Sequence, residues 1–389
     1  MKIIDLILGS LAIIFLLIWP LGSLISIILL LMLQLVSMKK DTFNSKVIYL
    51  FLFFIAYMVF KTFLIGDFYG NIKYLEKMML LVITFLSIYP LRTKQKKQLI
   101  IVFILSISIL QIYSFIHILN FTYTYDLALN EFTNFSYINK AIGFERPYIG
   151  FLSSISILFL LFDNNISIKS IYKPLLIFLS ISYIVFISAK LAFILSFLFL
   201  LIYFFKYGKF KYLIGYLILI SITVLIFSKS LSIVERFSKL SNDERIFLWT
   251  NGLELIENDN NFSFLFGSSN LDFVKLKEKL KTINISKSND EYKRYYSKRN
   301  KNIHNQYFTI FIVGGFIGLI LMLGPFLYLV LIFIKKKNIS SFLCIISIMI
   351  FMFVENIFER QMGVMICGIL IAINISNFNY QNHRLKSNN

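Results

Sequence analysis

The sequence predicts an all-α integral membrane protein, with about twelve transmembrane helices and one large outer helical loop before the last three. Three observations predict it. Apolar runs close to spanning length recur along the chain. Charged residues are only 15% of the 389 against 58% hydrophobic ones, where soluble domains carry about 25% charged residues. The basic residues fall in alternate connections between the apolar runs. A transmembrane β-barrel would show ~10-residue segments of alternating polarity, and the sequence has none.

The apolar runs centre in residues 3–19, 21–38, 47–65, 74–91, 99–119, 147–163, 174–189, 191–206, 212–228, 306–333, 340–356 and 360–377. A helix needs about 20 apolar residues to cross the hydrocarbon core, so the shorter runs imply tilted or partial spans. The first run follows Lys2 without a small-residue cleavage pattern and reads as an uncleaved span. The organisation expected is therefore 1–228 as helices one to nine, 229–305 as a large periplasmic loop, 306–377 as helices ten to twelve, and 378–389 as a cytoplasmic tail.

Charge sets the orientation. With the N-terminus inside, the inner connections hold Lys39, Lys40 and Lys46; Arg92, Lys94, Lys96 and Lys97; Lys169 and Lys173; Lys206, Lys209 and Lys211; Lys335, Lys336 and Lys337; and Arg384 and Lys386. The short outer connections hold only Lys73, Lys140, Arg146, Lys190 and Arg360. This is the positive-inside pattern, and it accounts for most of the net charge of +19. In a soluble chain that charge would point to nucleic acid; here no nucleic-acid partner is expected. Loops beyond ~60 residues cross largely regardless of charge. The 14 Lys/Arg against 10 Asp/Glu in 229–305 therefore leave a moderate basic excess outside, which favours an anionic ligand or is simply a solvated surface. Cys344 and Cys367 both lie in apolar runs and give neither a disulfide framework nor metal-ligand spacing. There is no internal repeat at a fixed period, which weighs against inverted-repeat transporters.

Within the outer loop, Ser241-Asn242-Asp243-Glu244 has the spacing of a capping box. Ile246, Trp249, Leu253 and Ile256 follow at helical spacing. An amphipathic helix over 242–257, lying on the membrane face, is expected. Arg245 and Trp249 share one side of it. An arginine there binds phosphate oxygens bidentately, or it is an interfacial residue that snorkels. Gly267-Ser268-Ser269 closes a Phe-rich stretch as a turn, and a second short helix over Leu271 to Leu280 follows. Residues 284–302 interleave Tyr292, Tyr295 and Tyr296 with Lys293, Arg294, Lys298 and Arg299, as a sugar- and phosphate-holding segment or a plain exposed loop would.

The loop returns to the bilayer through His304-Asn305-Gln306-Tyr307. Of the three histidines, His117 lies in an apolar run and His383 in the tail, so only His304 stands at an outer membrane border. Histidine ordinarily titrates near ~6.5, which suits a general base at neutral pH, although a lone histidine is more often structural. Among charges in or near the spans, Lys61, Glu76 and Lys77 need compensation, and Glu76 can pair with Lys73 three residues before it. Glu355, Glu359 and Arg360 either line an acceptor cavity or make a charged hairpin.

These motifs together resemble the O-antigen ligase and O-antigen polymerase superfamily of bacterial membrane glycosyltransferases. About twelve spans surround one large, late outer loop. That loop opens with Arg245 and Trp249 and closes with His304, Asn305 and Tyr307. The next helix begins with the Gly-rich Val313-Gly314-Gly315-Phe316-Ile317-Gly318. Arg146-Pro147-Tyr148 and Glu355-Asn356-Ile357-Phe358-Glu359-Arg360-Gln361 are similar to segments of some branches. The resemblance covers most of the chain by architecture and tens of residues by motif.

It implies an inverting, metal-independent transfer, with no cofactor, at the outer face of the bacterial inner membrane, and both termini cytoplasmic. The donor would be an undecaprenyl-diphosphate-linked glycan. The acceptor hydroxyl would belong to lipid A–core for a ligase or to a growing lipid-linked glycan for a polymerase. His304 would be the general base and Arg245 would hold the diphosphate. Asn305, Tyr307, Trp249 and Glu355 would contact donor or acceptor. The family's usual arginine between two spans is replaced here by Ser188-Ala189-Lys190. Lys190 then serves as a point-charge diphosphate contact, or Arg146 takes that role, or Lys190 is an ordinary turn cation. The rival readings are a polysaccharide flippase, which calls for charges lining many helices, and a non-catalytic assembly partner, which would tolerate loss of His304.

Overall fold

A computed structural model describes residues 2–37, 45–65, 68–124, 145–163, 166–208, 215–216, 218, 244–287 and 302–375. Among these the chain is almost wholly helical. The elements are α1 (Lys2–Ile18), α2 (Pro20–Ser37), α3 (Lys46–Ile65), α4 (Phe68–Ile88), α5 (Thr93–Thr124), α6 (Arg146–Phe162), α7 (Tyr172–Phe186), α8 (Lys190–Tyr207), α9 (Glu244–Glu257), α10 (Phe273–Lys287), α11 (Gln306–Lys335), α12 (Ile339–Val354) and α13 (Gln361–Ile375). A two-stranded antiparallel hairpin, β1 (Phe262–Ser263) and β2 (Gly267–Ser268), precedes α10. A 3-10 turn, Ile357–Glu359, joins α12 to α13.

Four helices, α3, α5 (over Thr93–Asn120), α8 and α11, are long and apolar enough to cross a membrane, and six shorter apolar helices accompany them. This is consistent with an all-α membrane protein. Each expected span except 212–228, which falls mostly outside the described residues, coincides with a helix. Also outside the described residues are the Ser241 cap, Lys39, Lys40, Lys140, Lys209 and Lys211, the Tyr292 to Arg299 segment and the 378–389 tail. Observed boundaries differ from the expected ones in both directions: α5 is longer than its apolar run, while, among the described residues, α13 and α9 are shorter than expected. The second loop helix spans Phe273–Lys287 rather than Leu271 to Leu280; Asp272 Oδ1 caps its start by accepting from the N–H groups of Val274 and Lys275, both at 2.9 Å.

Helix α6 is the inner post of the bundle, buried along almost all its length. The turn before α8 lies against it, because Gly150 lacks a Cβ; one built there would stand 2.6 Å from Ala189 Cβ. Gln111 on α5 ties the neighbouring helices by donating to Ser153 Oγ of α6 at 2.8 Å and Ser180 Oγ of α7 at 3.2 Å. Such amide–hydroxyl contacts hold helices together where burial alone gives no preference between protein and lipid.

Two sets of long-range contacts define the two ends of the bundle. At one end, Lys61 of α3 donates to Ser268 O (3.2 Å), Lys77 of α4 donates to Glu359 O (2.8 Å), and Glu145 before α6 pairs with Arg360 (2.9 Å). At the other, Lys96 of α5 donates to Tyr89 O (2.6 Å) and Ala372 O of α13 (3.2 Å). Lys96 was expected among the solvated inner-loop cations. It is instead fully buried, because carbonyls near a helix end offer a cation the acceptors that water would otherwise supply.

The fold departs most from expectation inside α11. The helix breaks at Gly315, whose backbone (φ 65°, ψ −166°) lies in a region reserved for glycine. The N–H groups of Phe316 and Ile317, which a continuous helix would have given to the preceding turn, donate instead to Phe264 O (2.9 Å) and Leu265 O (3.1 Å) of the hairpin. Tyr57 of α3 donates to the carbonyl of Gly314 at 2.6 Å. Every backbone group freed near the break that these bonds engage has found a partner, as an apolar surrounding demands. A Cβ on Gly315 would collide with the backbone of Gly267 and Leu265. Gly315→Ala is therefore expected to cost at least about 2 kcal/mol from forced backbone strain, plus the overlap. Gly324→Ala, with nothing within 4 Å of its added Cβ, should be neutral or slightly stabilising. Thermal unfolding in detergent checks both.

Candidate active site

The site assembles from three stretches far apart in the chain. Helix α9 presents Arg245 and Trp249 one turn apart on the same side. Trp249 Nε1 donates to the carbonyl of Ile303 at 2.9 Å, and its ring meets Phe353 edge-on at 5.4 Å. Those contacts lock α9 over the segment leading into α11. In that segment His304 takes a left-handed backbone conformation, φ 51°, uncommon for a residue with a side chain. Asn302 Oδ1 holds it by accepting from His304 N at 3.2 Å. Asn305 Oδ1 accepts from Phe308 N at 3.0 Å and caps α11.

The third stretch follows α12. Glu355 leaves the helix in extended conformation and is 7% exposed. Its Oε1 accepts from Arg245 Nη2 at 3.1 Å, and its Oε2 faces His304 Nδ1 at 3.2 Å. The carboxylate therefore bridges the loop's arginine and histidine. Burial alone would push the Glu355 carboxyl up. The His304 and Arg245 contacts more than offset this and hold it below its ordinary value of 4.5. Arg245 and His304 keep partial exposure while Glu355 does not, so the open side of the cluster is lined by the cation and the imidazole.

A second carboxylate lies four residues on. Glu359 accepts from Lys277 Nζ of α10 at 2.6 Å, from Asn302 Nδ2 at 3.2 Å and from Asn356 Nδ2 at 2.5 Å. Lys277 also stands 4.9 Å above the Tyr74 ring, which stacks on Phe273 at 5.1 Å. Burial pulls the Lys277 ammonium down, but Glu359 beside it more than compensates and its pKa is raised. Gln306 Oε1 accepts from Phe358 N at 2.9 Å and Asn356 Nδ2 donates to Thr309 Oγ1 at 2.9 Å. The connection 355–360 is thus pinned to the start of α11 from both sides. Asn302 links the two carboxylate clusters.

The expected site residues divide accordingly. Arg245, Trp249, His304 and Glu355 come together. Asn305 and Tyr307 do too, though as supports: Asn305 caps its helix, and Tyr307 OH donates to Met349 O at 2.6 Å. Arg146 reaches the same end of the bundle, buried at the start of α6 beside the Glu145–Arg360 pair. Lys190 opens α8 after Ser188, whose φ is 52°, and Ala189 before it abuts Gly150, one helical turn from Arg146. Glu355, expected to line a cavity or to belong to a charged hairpin, contacts both Arg245 and His304. Asn302 and Tyr74 had no sequence signal, since nothing in their spacing links them to Glu359 and Lys277; Lys77 stood out only as a charge near a span, with no pointer to its partner Glu359, 282 positions away.

Residues 168–323 match the O-antigen ligase family model. That match supports the O-antigen ligase and polymerase superfamily for this chain. The matched stretch runs from just before α7 to the middle of α11 and contains Lys190, Arg245, Trp249, His304, Asn305 and Tyr307; Arg146 and Glu355 lie outside it. No curated protein and no solved structure matches the chain.

Because its pKa is lowered in the fold, Glu355 adds stability that is fully present above its ordinary pKa of 4.5 and is lost as pH falls through the folded value. Glu355→Gln should therefore lower the thermal midpoint at pH 7, by an amount corresponding to about 1–3 kcal/mol for lost charge-assisted bonds. The gap to wild type should narrow as pH falls below 4.5. Parallel melts across pH check this.

Proposed function

We propose that this chain transfers a glycan from an undecaprenyl-diphosphate carrier to an acceptor hydroxyl, as an O-antigen ligase or polymerase in surface polysaccharide synthesis, at the outer face of the bacterial cytoplasmic membrane. The observation that carries this reading is the Arg245–Glu355–His304 bridge, two of whose members lie within the O-antigen ligase match.

The chemistry follows from the geometry. If Glu355 accepts the Nδ1 proton of His304, Nε2 is left as the basic nitrogen. It removes the proton from the acceptor hydroxyl as that oxygen bonds to the anomeric carbon. The anomeric carbon–oxygen bond to phosphate breaks, the electron pair leaves with the diphosphate, and the configuration inverts. Arg245, partly exposed beside Glu355, would neutralise the leaving diphosphate. Arg146 at the start of α6 and Lys190 at the start of α8, whose preceding Ala189 abuts Gly150 one turn from Arg146, would supply further positive charge toward the same end. No step calls for a metal. Trp249, packed against Phe353, offers an aromatic wall to a sugar ring.

Reconstituted protein supplied with a synthetic undecaprenyl-diphosphate glycan tests the assignment. His304→Ala is expected to lower turnover by about 10²–10⁴-fold, the usual contribution of a positioned base. Arg245→Ala should lower it comparably, and Arg245→Lys should restore only part, because the bidentate fork is lost. Normal turnover in both alanine variants would sink the site. Offering lipid A–core in one reaction and additional lipid-linked glycan in another distinguishes ligase from polymerase.

A further inference from the structure

The Phe-rich stretch between α9 and α10 plays no part in the site, yet it is bonded to a helix of the bundle. Its backbone occupies the break in α11: Phe264 O and Leu265 O accept from Phe316 and Ile317. Gly267, itself at φ 76°, lies so close that an added Cβ would stand 2.6 Å from Gly315 N and 2.7 Å from Ile312 O. Lys61 of α3 holds Ser268 O, and the Ser268 hydroxyl donates to Asp259, so the base of the hairpin is fixed as well.

This fixes a depth. Phe316 is ten residues into α11, about 15 Å along the axis at 1.5 Å per residue. It lies inside the uninterrupted apolar run that begins at Ile310. The hairpin tip is therefore level with apolar helix surface, not with the helix ends. The segment 262–268 has no charged residue. Phe264, Leu265 and Phe266 are 60%, 50% and 51% exposed. Phe264 stacks on Phe316 at 5.4 Å, itself an exposed residue of α11. Ile320 on α11 and Phe60, Phe63 and Leu64 on α3 continue the exposed apolar surface. In water that surface would be unfavourable at about 25 cal/mol per Å²; against hydrocarbon it is at home.

We propose that the hairpin Phe262–Ser268 is a re-entrant element of the membrane domain, whose tip Phe264-Leu265-Phe266 touches lipid acyl chains in the leaflet on the active-site side. The outer loop is then not wholly aqueous: one part of it is anchored in hydrocarbon. Non-helical backbone is tolerated at such depth only when its polar groups are satisfied by protein, which is what the bonds to α11 and α3 achieve. The proposal rests on the chain being membrane-embedded and not on the glycan-transfer reading.

Single-cysteine labelling in nanodiscs tests it. Leu265→Cys and, separately, Phe266→Cys carry an environment-sensitive fluorophore; Glu278→Cys, on the exposed face of α10, is the aqueous reference. Unmodified protein controls for labelling of the buried Cys344 and Cys367. Nitroxide on a shallow acyl carbon should quench both tip positions several-fold more than the reference, and aqueous iodide should quench them several-fold less. Iodide quenching equal to the reference would overturn the proposal. Protection from both quenchers would overturn it too, since a second copy or another protein would then cover the tip. Two tip positions keep the result readable if one variant fails to fold.

Discussion

A single buried carboxylate organises this end of the molecule. Glu355 is taken out of water and accepts from Arg245 on one oxygen while facing His304 on the other. Removing a carboxylate from water costs several kcal/mol unless paired and hydrogen-bonded. The packing of α9, the His304 turn and the end of α12 must therefore be mutually consistent. If α9 shifts, Glu355 loses its cation. If the turn before α11 relaxes, it loses the imidazole. Trp249 to Ile303 O, the Asn302 brace and the Asn305 cap all act to keep those pieces in register. The arrangement also explains why a histidine would tolerate a left-handed backbone: the strain is held by bonds on both sides of it.

Much of this was legible in the sequence, because the signals were local. Apolar runs of near-spanning length marked the helices. The i, i+4 spacing put Arg245 and Trp249 on one side of α9, and the position of His304 at the foot of an apolar helix marked it out. What was not legible depends on contacts between distant segments. Glu355 read equally well as a cavity residue or a hairpin charge, since its partners are 51 and 110 residues away. Lys96 looked like a loop cation because three other basic residues surround it in sequence; only the end of α13 turns it inward. Val313-Gly314-Gly315 read as a Gly-rich helix start. Its break needs the hairpin as partner, and pairing between irregular backbone segments leaves no periodicity to detect.

The two carboxylates also divide the loop's cations by role. Lys277 is committed to Glu359 and Tyr74, in a buried setting that fixes α10 to α4 and to the 355–360 connection. Arg245 is paired with Glu355 and keeps partial exposure. Among the described residues of 229–305, Lys277 is a cation that builds the platform and Arg245 one that keeps partial exposure. Net charge alone does not make that distinction. Together with the hairpin in the break of α11, the platform ties the loop to α3, α4, α11 and α12, so the candidate residues are held by the bundle rather than carried on a free segment.

In the proposed reaction, the bridge makes Glu355 a positioning residue that acts through His304. A double-mutant cycle on initial transfer rates, using reconstituted His304→Ala, Glu355→Ala and the double variant with one synthetic lipid-diphosphate glycan, measures that coupling directly. If Glu355 acts through His304, the double variant will be no slower than His304→Ala alone. Losses that simply multiply, with Glu355→Ala lowering the rate by the same factor whether or not His304 is present, would contradict it.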